Sequence, residues 1–213
     1  MSTETGELAF SHIWDGNHVG LDIFQIWDAI RIASSNPAKI LEIGSFEGHA
    51  TCRMIELFAA HAPIAITCID TWAGAILFDE RVDPAHEARF DANVAVAAAR
   101  APNPVSLRKI KDDSFLGLAS LIYGGESESF DWIYVDGSHE AQDVFCDAAG
   151  SFRLLKSGGI LVFDDYLWTE PMQRGGHVNR TPKPAIDAFV NIFYDRLTVV
   201  AGAGLWQLYL RKT

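Results

Sequence analysis

The sequence predicts an α/β protein with a doubly wound, mostly parallel seven-stranded sheet and helices on both faces. Three observations support this fold class. Short apolar segments alternate with longer amphipathic ones along most of the 213 residues. The short segments are nearly continuous in apolar character, as expected of strands that are buried on both faces. The last two of them surround a glycine turn with no helix between, which predicts an antiparallel end to the sheet.

Each element follows from its local pattern. Five apolar runs predict the parallel strands, at 39–43, 64–70, 105–110, 130–136 and 159–165. Helical spacing of apolar residues predicts helices at 49–60, 84–100, 139–155 and 182–195, and an amphipathic helix through Ile23, Ile26, Trp27 and Ile30. Pro84 is a favoured first helical residue, and Gly158-Gly159 is a stop signal after Lys156. The two final strands lie in 197–203 and 205–212, around Gly204.

Composition excludes several classes of protein. The formal net charge is −11 and there is no run of Lys or Arg, which is unfavourable for nucleic acid or an anionic membrane surface. No apolar stretch reaches 18 residues, and the first residues lack the basic and apolar regions of a secretory signal. Cys52, Cys68 and Cys146 are scattered, as reduced thiols in a cytoplasmic protein are. We expect a single domain over 1–213, with an N-terminal helical segment at 1–38 and a core at 39–213.

A glycine-containing turn follows the first predicted strand. Residues 42–48 read Glu-Ile-Gly-Ser-Phe-Glu-Gly, and a carboxylate, Asp70, ends the second strand. Glycines between a strand and a helix let a nucleoside approach the backbone, and a carboxylate at the next strand end can accept both ribose hydroxyls. The dinucleotide pattern G-x-G-x-x-G would need glycine where Phe46 and His49 stand. A plain structural turn and a helix cap at Asp70 are the alternatives.

Three carboxylates follow the fourth and fifth strands. Asp136 ends one strand and Asp164 and Asp165 end the next, so all three are expected at one edge of the sheet. Such carboxylates repel one another unless a cation offsets them, and oxygen ligands suit Mg²⁺, Mn²⁺ or Ca²⁺. The alternative is that Asp164 is a cap and Asp165 is solvated.

Taken together, three motifs resemble those of class I S-adenosylmethionine-dependent methyltransferases. They are LEIGSFEGHA at 41–50, CIDTW at 68–72, and the segment from DWIYVDGSHE to LVFDDY at 131–166. The chain is most similar to a small O-methyltransferase-like family with the signature V-D-G-x-H, L-L-K-x-G-G and D-D-Y. The resemblance covers 39–213 and implies a Rossmann-like fold with a reversed final strand.

The resemblance also implies a cofactor site and a metal site. The residues that it places at S-adenosylmethionine are Glu42, Gly44, Ser45, Phe46, Gly48, Asp70, Thr71, Trp72, Asp113, Ser114 and Asp136. Ser45 and Phe46 would present backbone to the cofactor, and Trp72 would either cover the adenine or belong to the core. Asp136, Asp164 and Asp165 match the ligands of Mg²⁺ or another divalent cation, although the third ligand of the family is often Asn.

The implied reaction is methyl transfer to a hydroxyl of a small metabolite, with divalent-cation assistance. Asp136 and His139 are the catalytic candidates, since His139 lies where the cation-dependent enzymes have a lysine base. A structural role for His139 is the alternative. A metal-independent O- or N-methyltransferase and a non-catalytic cofactor-binding protein remain open, as does a homodimer. Residues 8–20 and 166–181 are expected to shape the acceptor pocket, whose substrate the sequence does not name.

Overall fold

The computed structural model describes residues 6–11, 23–73, 83, 85–170, 175–202, 204 and 206–213. Most of the predicted 71–83 connection, Pro84, and parts of 8–20 and 166–181 lie outside these residues. Within the described part of the chain, no helix has the length and apolar character needed to cross a membrane.

Within the described residues, seven strands and six helices alternate along most of the sequence. The strands are β1 (Lys39–Ile43), β2 (Ile64–Asp70), β3 (Val105–Lys111), β4 (Phe130–Val135), β5 (Leu155–Phe163), β6 (Leu197–Val199) and β7 (Leu208–Lys212). The helices are α1 (Ile23–Ala33), α2 (His49–Phe58), α3 (Ala85–Arg100), α4 (Ser114–Tyr123), α5 (Ala141–Leu154) and α6 (Lys183–Ile192), with a 3₁₀ turn at Val178–Arg180.

The sheet confirms the predicted fold class. Its strand order is β3-β2-β1-β4-β5-β7-β6, and β1 to β5 pair in parallel. β7 pairs antiparallel with both β5 and β6, which is the predicted reversed end. Strand order reverses between β1 and β4, and open α/β sheets bind ligands beyond the carboxyl ends of the strands at such a point.

The alternation of side chains along the strands divides the core into two layers. Trp132 and Tyr134 of β4 pack on the side of α1, α2 and α3, whereas Ile133 and Val135 pack on the side of α4, α5 and α6. Successive strand residues point to opposite faces. The carboxylate of Asp136, two residues beyond Tyr134, therefore belongs to the same side of the sheet as α1 to α3.

The structure differs from the sequence-based expectation at two elements. The helix α4 was not singled out, because its sequence SFLGLASLIY is short and apolar on most sides rather than clearly periodic. Strand β5 begins at Leu155 rather than at residue 159, because Phe130 of β4 pairs with Leu155 and draws that residue into the sheet. The predicted stop signal at Gly158-Gly159 therefore lies inside a strand.

Candidate active site

The loop from β1 to α2 turns sharply at two glycines. Gly44 and Gly48 have φ angles of 82° and 83°, a region that residues with a Cβ rarely occupy. A Cβ on Gly44 would lie 2.0 Å from the carbonyl oxygen of Asp136. Gly44 is therefore required where the loop passes over the end of β4, which brings the first and fourth strand ends together.

Asp70, predicted to bind ribose, is hydrogen-bonded to the backbone of this loop. Its Oδ2 accepts hydrogen bonds from the backbone N–H groups of Ser45 at 2.7 Å and Phe46 at 2.8 Å. Its Oδ1 accepts from the N–H of Trp72 at 2.6 Å. The N–H groups that were expected to face a cofactor are thus committed to Asp70. A carboxylate has about four acceptor positions, so three bonds leave limited capacity for ribose hydroxyls.

Trp72 is part of the core. Its side chain is only 5% exposed and its ring packs against Phe90, 5.1 Å between centroids. Its indole N–H donates to the carbonyl of Phe46 at 2.8 Å, which fixes the loop from the side. Thr71 is exposed, and its hydroxyl accepts from the N–H of Ala73. A role for either residue beside adenine remains a prediction.

Glu42 is fully buried below the same loop. Its Oε2 accepts hydrogen bonds from the hydroxyls of Ser45 and Thr51 and from the thiol of Cys68. Its Oε1 has no hydrogen-bond partner among the described residues. Burial raises the pKa of Glu42 to about 7, despite the hydrogen bonds that lower it. A cationic group placed near Oε1 would satisfy this oxygen and favour the ionised form.

Asp113 and Ser114 lie at the start of α4, beyond the end of β3. The Asp113 carboxylate caps the helix by accepting from the N–H of Leu116 at 2.9 Å. This is the usual task of Asp before a first helical turn. The adenine contacts assigned to these two residues remain predictions.

Two carboxylates meet beyond β4 and β5. The hydroxyl of Tyr134 donates to Asp164 and lies 3.5 Å from Oδ2 of Asp136. Burial and the charges of Asp164 and Asp165 raise the pKa of Asp136 well above its usual range. Burial, and then the Asp165 charge, raise the pKa of Asp164 to about 6. The pair therefore favours a shared positive group or a retained proton.

Asp165 turns away from this pair and toward His139. Its Oδ2 lies 2.8 Å from Nε2 of His139, and its backbone has a positive φ of 52°. His139 is 8% exposed, and its ring packs at a tilt of 56° against that of Trp168, 4.4 Å between ring centroids. The predicted base is thus held by a carboxylate on one side and an indole on another. A small cleft joins these groups to Ser138, Pro182 and Ile186.

The predicted three-carboxylate metal site is not assembled in the structure. Within the described residues, no three His, Cys, Asp or Glu side chains are placed to hold a metal ion together. The physical reason is the pairing of Asp165 with His139 and of Asp164 with the Tyr134 hydroxyl. The arrangement does not fit the cation that the resemblance implied, and we assign no step to a metal.

The sequence-based prediction missed a buried polar network behind Asp164. The amide of Gln207 donates to the hydroxyl of Tyr134 at 3.4 Å, and Tyr209 donates to the Gln207 carbonyl. The indole N–H of Trp27 donates to Tyr209 at 3.0 Å. Burial and the Asp136 and Asp164 charges raise the pKa of Tyr134 well above its usual range, so it remains a donor. The alternation of apolar and polar residues marks these positions only as core. The antiparallel pairing of β7 with β5 brings the Gln207 side chain, just before β7, within reach of Tyr134.

The sequence of this chain matches a known protein family. A family model described as a methyltransferase domain matches residues 41–166, which is more than half of the chain. The chain belongs to this methyltransferase family. The match begins within β1 and runs past the end of β5, and it includes both glycines of the loop, Asp70 and the three carboxylates beyond β4 and β5. No protein with a curated function matches this methyltransferase by sequence.

Solved structures show the same fold at low sequence identity. An O-methyltransferase from Bacillus cereus in complex with SAH has a TM-score of 0.63 and 13% identity, over 96% of this chain and 84% of that one. The O-methyltransferase TomG from Streptomyces achromogenes, in complex with SAM and involved in tomaymycin synthesis, has a TM-score of 0.59 and 14% identity, over 89% and 79%. MycE methyltransferase of the mycinamycin pathway, bound to Mg, SAH and mycinamycin VI, has a TM-score of 0.54 and 18% identity, over 88% of this chain and 48% of that one.

Proposed function

We propose that this methyltransferase binds S-adenosylmethionine over the β1–α2 loop and transfers its methyl group to a hydroxyl of a small molecule. The observation that carries the proposal is the orphaned Oε1 of the buried Glu42, next to a glycine loop at the reversal of strand order. Glu42, Asp70 and Asp136 surround that point with carboxylates. Such a set fits a cofactor with an ammonium and a sulfonium group. The neighbours that hold SAM or SAH with the same fold support this choice.

When bound, the cofactor supplies an electrophilic methyl group on sulfur, so the protein has to align the acceptor and remove its proton. His139 lies beyond β4, at the cleft that Asp136, Asp164 and Asp165 also line. Asp165 contacts Nε2 and so fixes the orientation of the imidazole. A general base has to be held in a defined orientation toward the proton that it removes. We assign to His139 the removal of the hydroxyl proton and to Asp136 a contact with the cationic cofactor. TomG and MycE support a natural product as acceptor.

The test of the function begins with the cofactor. Isothermal titration of the full chain with SAH should give saturable binding, and NAD should give none. Radiolabelled S-adenosylmethionine is then offered with phenols, sugars, polyketide alcohols and amines, each with Mg²⁺ and with EDTA. Methylation of a hydroxyl compound supports the proposal. Methylation of amines alone, or SAH binding without transfer to any acceptor, would support the alternatives of an N-methyltransferase or a binding protein. Loss of turnover in EDTA would return the metal to the mechanism.

We expect Asp70→Ala to weaken SAH binding by about tenfold or more, because the N–H groups of Ser45 and Phe46 in the loop, and that of Trp72, lose their acceptor. Titration calorimetry of the folded variant measures the effect. The matched control is Asp131→Ala, since Asp131 accepts from the N–H groups of Ala38 and Lys39 at the opposite end of the sheet. Equal SAH affinity in Asp70→Ala and the wild-type protein would contradict the assignment.

We expect His139→Ala to lower kcat by about 100-fold with SAH affinity unchanged, which is the range for loss of a general base. The measurement is methyl transfer at neutral pH to whichever acceptor the panel identifies. His61→Ala, at an exposed position after α2, is the control. Asp165→Asn should reduce kcat by a smaller factor, because the imidazole loses its orienting partner. Near-normal turnover in His139→Ala would show that His139 is structural.

A further inference from the structure

The β1–α2 loop is also held in place by the carboxylate of Glu47, to which the proposed reaction gives no role. Glu47 lies between Phe46 and Gly48 and is only 1% exposed. Its Oε1 contacts Nδ1 of His86 at 2.9 Å and accepts from Nε of Arg89, both on α3. Burial by itself would raise the pKa of Glu47, but the hydrogen bonds from Ser11, His86 and Arg89 outweigh burial and lower the pKa.

The other partner of Glu47 comes from the N-terminal arm, which we define as residues 6–11. The backbone N–H of Ser11 donates to Oε2 of Glu47 at 2.6 Å, and its hydroxyl donates to Oε1 at 2.7 Å. Thirty-six positions separate the two residues in sequence. The end of the arm is therefore fastened directly to the cofactor loop.

The rest of the arm runs along α3, whose side chains form hydrogen bonds with the backbone of the arm. Asn93 accepts from the N–H of Ala9 at 2.8 Å and donates to its carbonyl at 2.9 Å. The same Asn93 amide donates to the carbonyl of Glu47 at 3.0 Å. Arg100 donates to the carbonyl of Gly6 at 2.7 Å. Asn93 thus joins the arm, α3 and the loop at one point.

The loop needs such external support because its own conformation is unfavourable. Phe46 has a φ of 45°, which costs a residue with a Cβ free energy unless its surroundings hold it. Its ring packs on that of His86, 4.4 Å between centroids. Asp70 and Trp72 hold the inner side of the loop, and the contacts of Glu47 hold its outer side.

From these contacts we infer that the N-terminal arm is part of the cofactor site, with Glu47 as the positioning residue through which arm docking and cofactor binding stabilise each other. The inference rests on the proposed function. A coupling free energy is reciprocal, so whatever the docked arm adds to cofactor affinity, the bound cofactor adds to arm docking. We therefore expect the arm contacts to raise SAH affinity, and bound SAH to slow hydrogen exchange in the arm. A merely structural contact would not produce both effects.

The first measurement is SAH affinity by titration calorimetry on the full chain. We expect Ser11→Ala to weaken binding at least threefold and Glu47→Gln at least tenfold, because the amide replaces one acceptor oxygen by a donor. The matched control is Ser129→Ala, since the Ser129 hydroxyl bonds Lys39 and the carbonyl of Glu126 at the far end of the sheet. Ser129→Ala should bind SAH like the wild-type protein.

The second measurement is hydrogen exchange of the peptide that contains residues 6–11. Saturating SAH should slow its exchange in the wild-type protein and have a smaller effect in Ser11→Ala. Two results would overturn the inference while leaving the proposed function in place. One is unchanged SAH affinity in Ser11→Ala and Glu47→Gln, and the other is a hydrogen-exchange rate of residues 6–11 that is the same with and without SAH. If Glu47→Gln does not fold, Ser11→Ala and the exchange measurement decide. A wild-type protein that binds no SAH would overturn the proposed function, and this inference with it.

Discussion

Replacing Gly44 by alanine should unfold the protein or remove its cofactor site. The new Cβ would lie 2.0 Å from the carbonyl oxygen of Asp136 and 2.7 Å from the Cα of Gly137, and both are backbone atoms. Neither can rotate away, so β1 and β4 would have to separate at the site. A positive φ with a Cβ costs about 1–2 kcal/mol, and overpacking adds about 1–3 kcal/mol or more. We expect a loss of about 2–5 kcal/mol or more, and a loss above about 4 kcal/mol is exceptional for one substitution.

The matched control for this experiment is Gly125→Ala. Gly125 also has a φ of 82°, but a Cβ there would meet nothing within 4 Å. The two variants share the backbone cost and differ in the collision. Urea unfolding measures both free energies, and SAH titration tests any Gly44→Ala protein that folds. Equal losses of stability in the two variants would show that the contact with Asp136 is unimportant.

Replacing Asp147 by asparagine should change how stability depends on pH. Asp147 on α5 is fully buried, and neither of its oxygens has a hydrogen-bond partner of ordinary geometry among the described residues. Burial raises the pKa of Asp147 to about 7, although a nearby Ser114 hydroxyl lowers it in part. The folded protein therefore holds this proton more tightly than the unfolded chain does. Its stabilising contribution is complete below about pH 4 and is lost as pH rises to about 7 and above.

A difference of about three pH units in pKa corresponds to about 4 kcal/mol as an order of magnitude. Asp147→Asn removes the titration but leaves a buried amide that also lacks partners, at a cost of about 1–3 kcal/mol. We therefore expect the variant to be more stable than the wild-type protein at pH 8 and to lose that advantage at pH 5. Urea unfolding across this range measures the crossing.

The control for Asp147 is Asp195→Asn, which makes the same change at an exposed position between α6 and β6. It removes the same formal charge without altering a buried group, whereas the charge of Asp143 itself contributes to the raised pKa of Asp147. Its stability should follow that of the wild-type protein across the pH range. A constant difference between Asp147→Asn and the wild-type protein at every pH would show that Asp147 does not hold its proton.

The glycine loop and the ends of β4 and β5 differ in how far their structure follows from the sequence. The glycine loop follows from the residues themselves, because glycine adopts the positive φ angles at positions 44 and 48 more readily than any residue with a Cβ. Beyond β4 and β5, Asp136 and Asp164 meet at the hydroxyl of Tyr134, since parallel strands end at one edge of the sheet. Their partners were not foreseen. Asp165 contacts His139 across 26 positions of sequence, and no local pattern records that choice.

The same limit applies to Glu47 and Gln207. Glu47 reads as one more charged residue of a loop, and Gln207 as one polar residue of an apolar strand. Glu47 acquires its role from Ser11 and α3, and Gln207 acquires its role from Tyr134. These contacts join segments that are far apart in sequence, so the residues next to Glu47 or Gln207 do not reveal them.

The α/β fold, the reversed end of the sheet and the glycine turn over which the cofactor is proposed to bind all follow from local patterns in the amino-acid sequence. These features depend on period, on strand burial and on backbone angles, which are local properties of the chain. Three contacts depend instead on how distant segments pack: Asp70 with the loop, Asp165 with His139, and the N-terminal arm with Glu47. Hydrogen bonds and ion pairs between distant residues are selected by the geometry of packing, and a carboxylate in sequence does not reveal which donor it will meet.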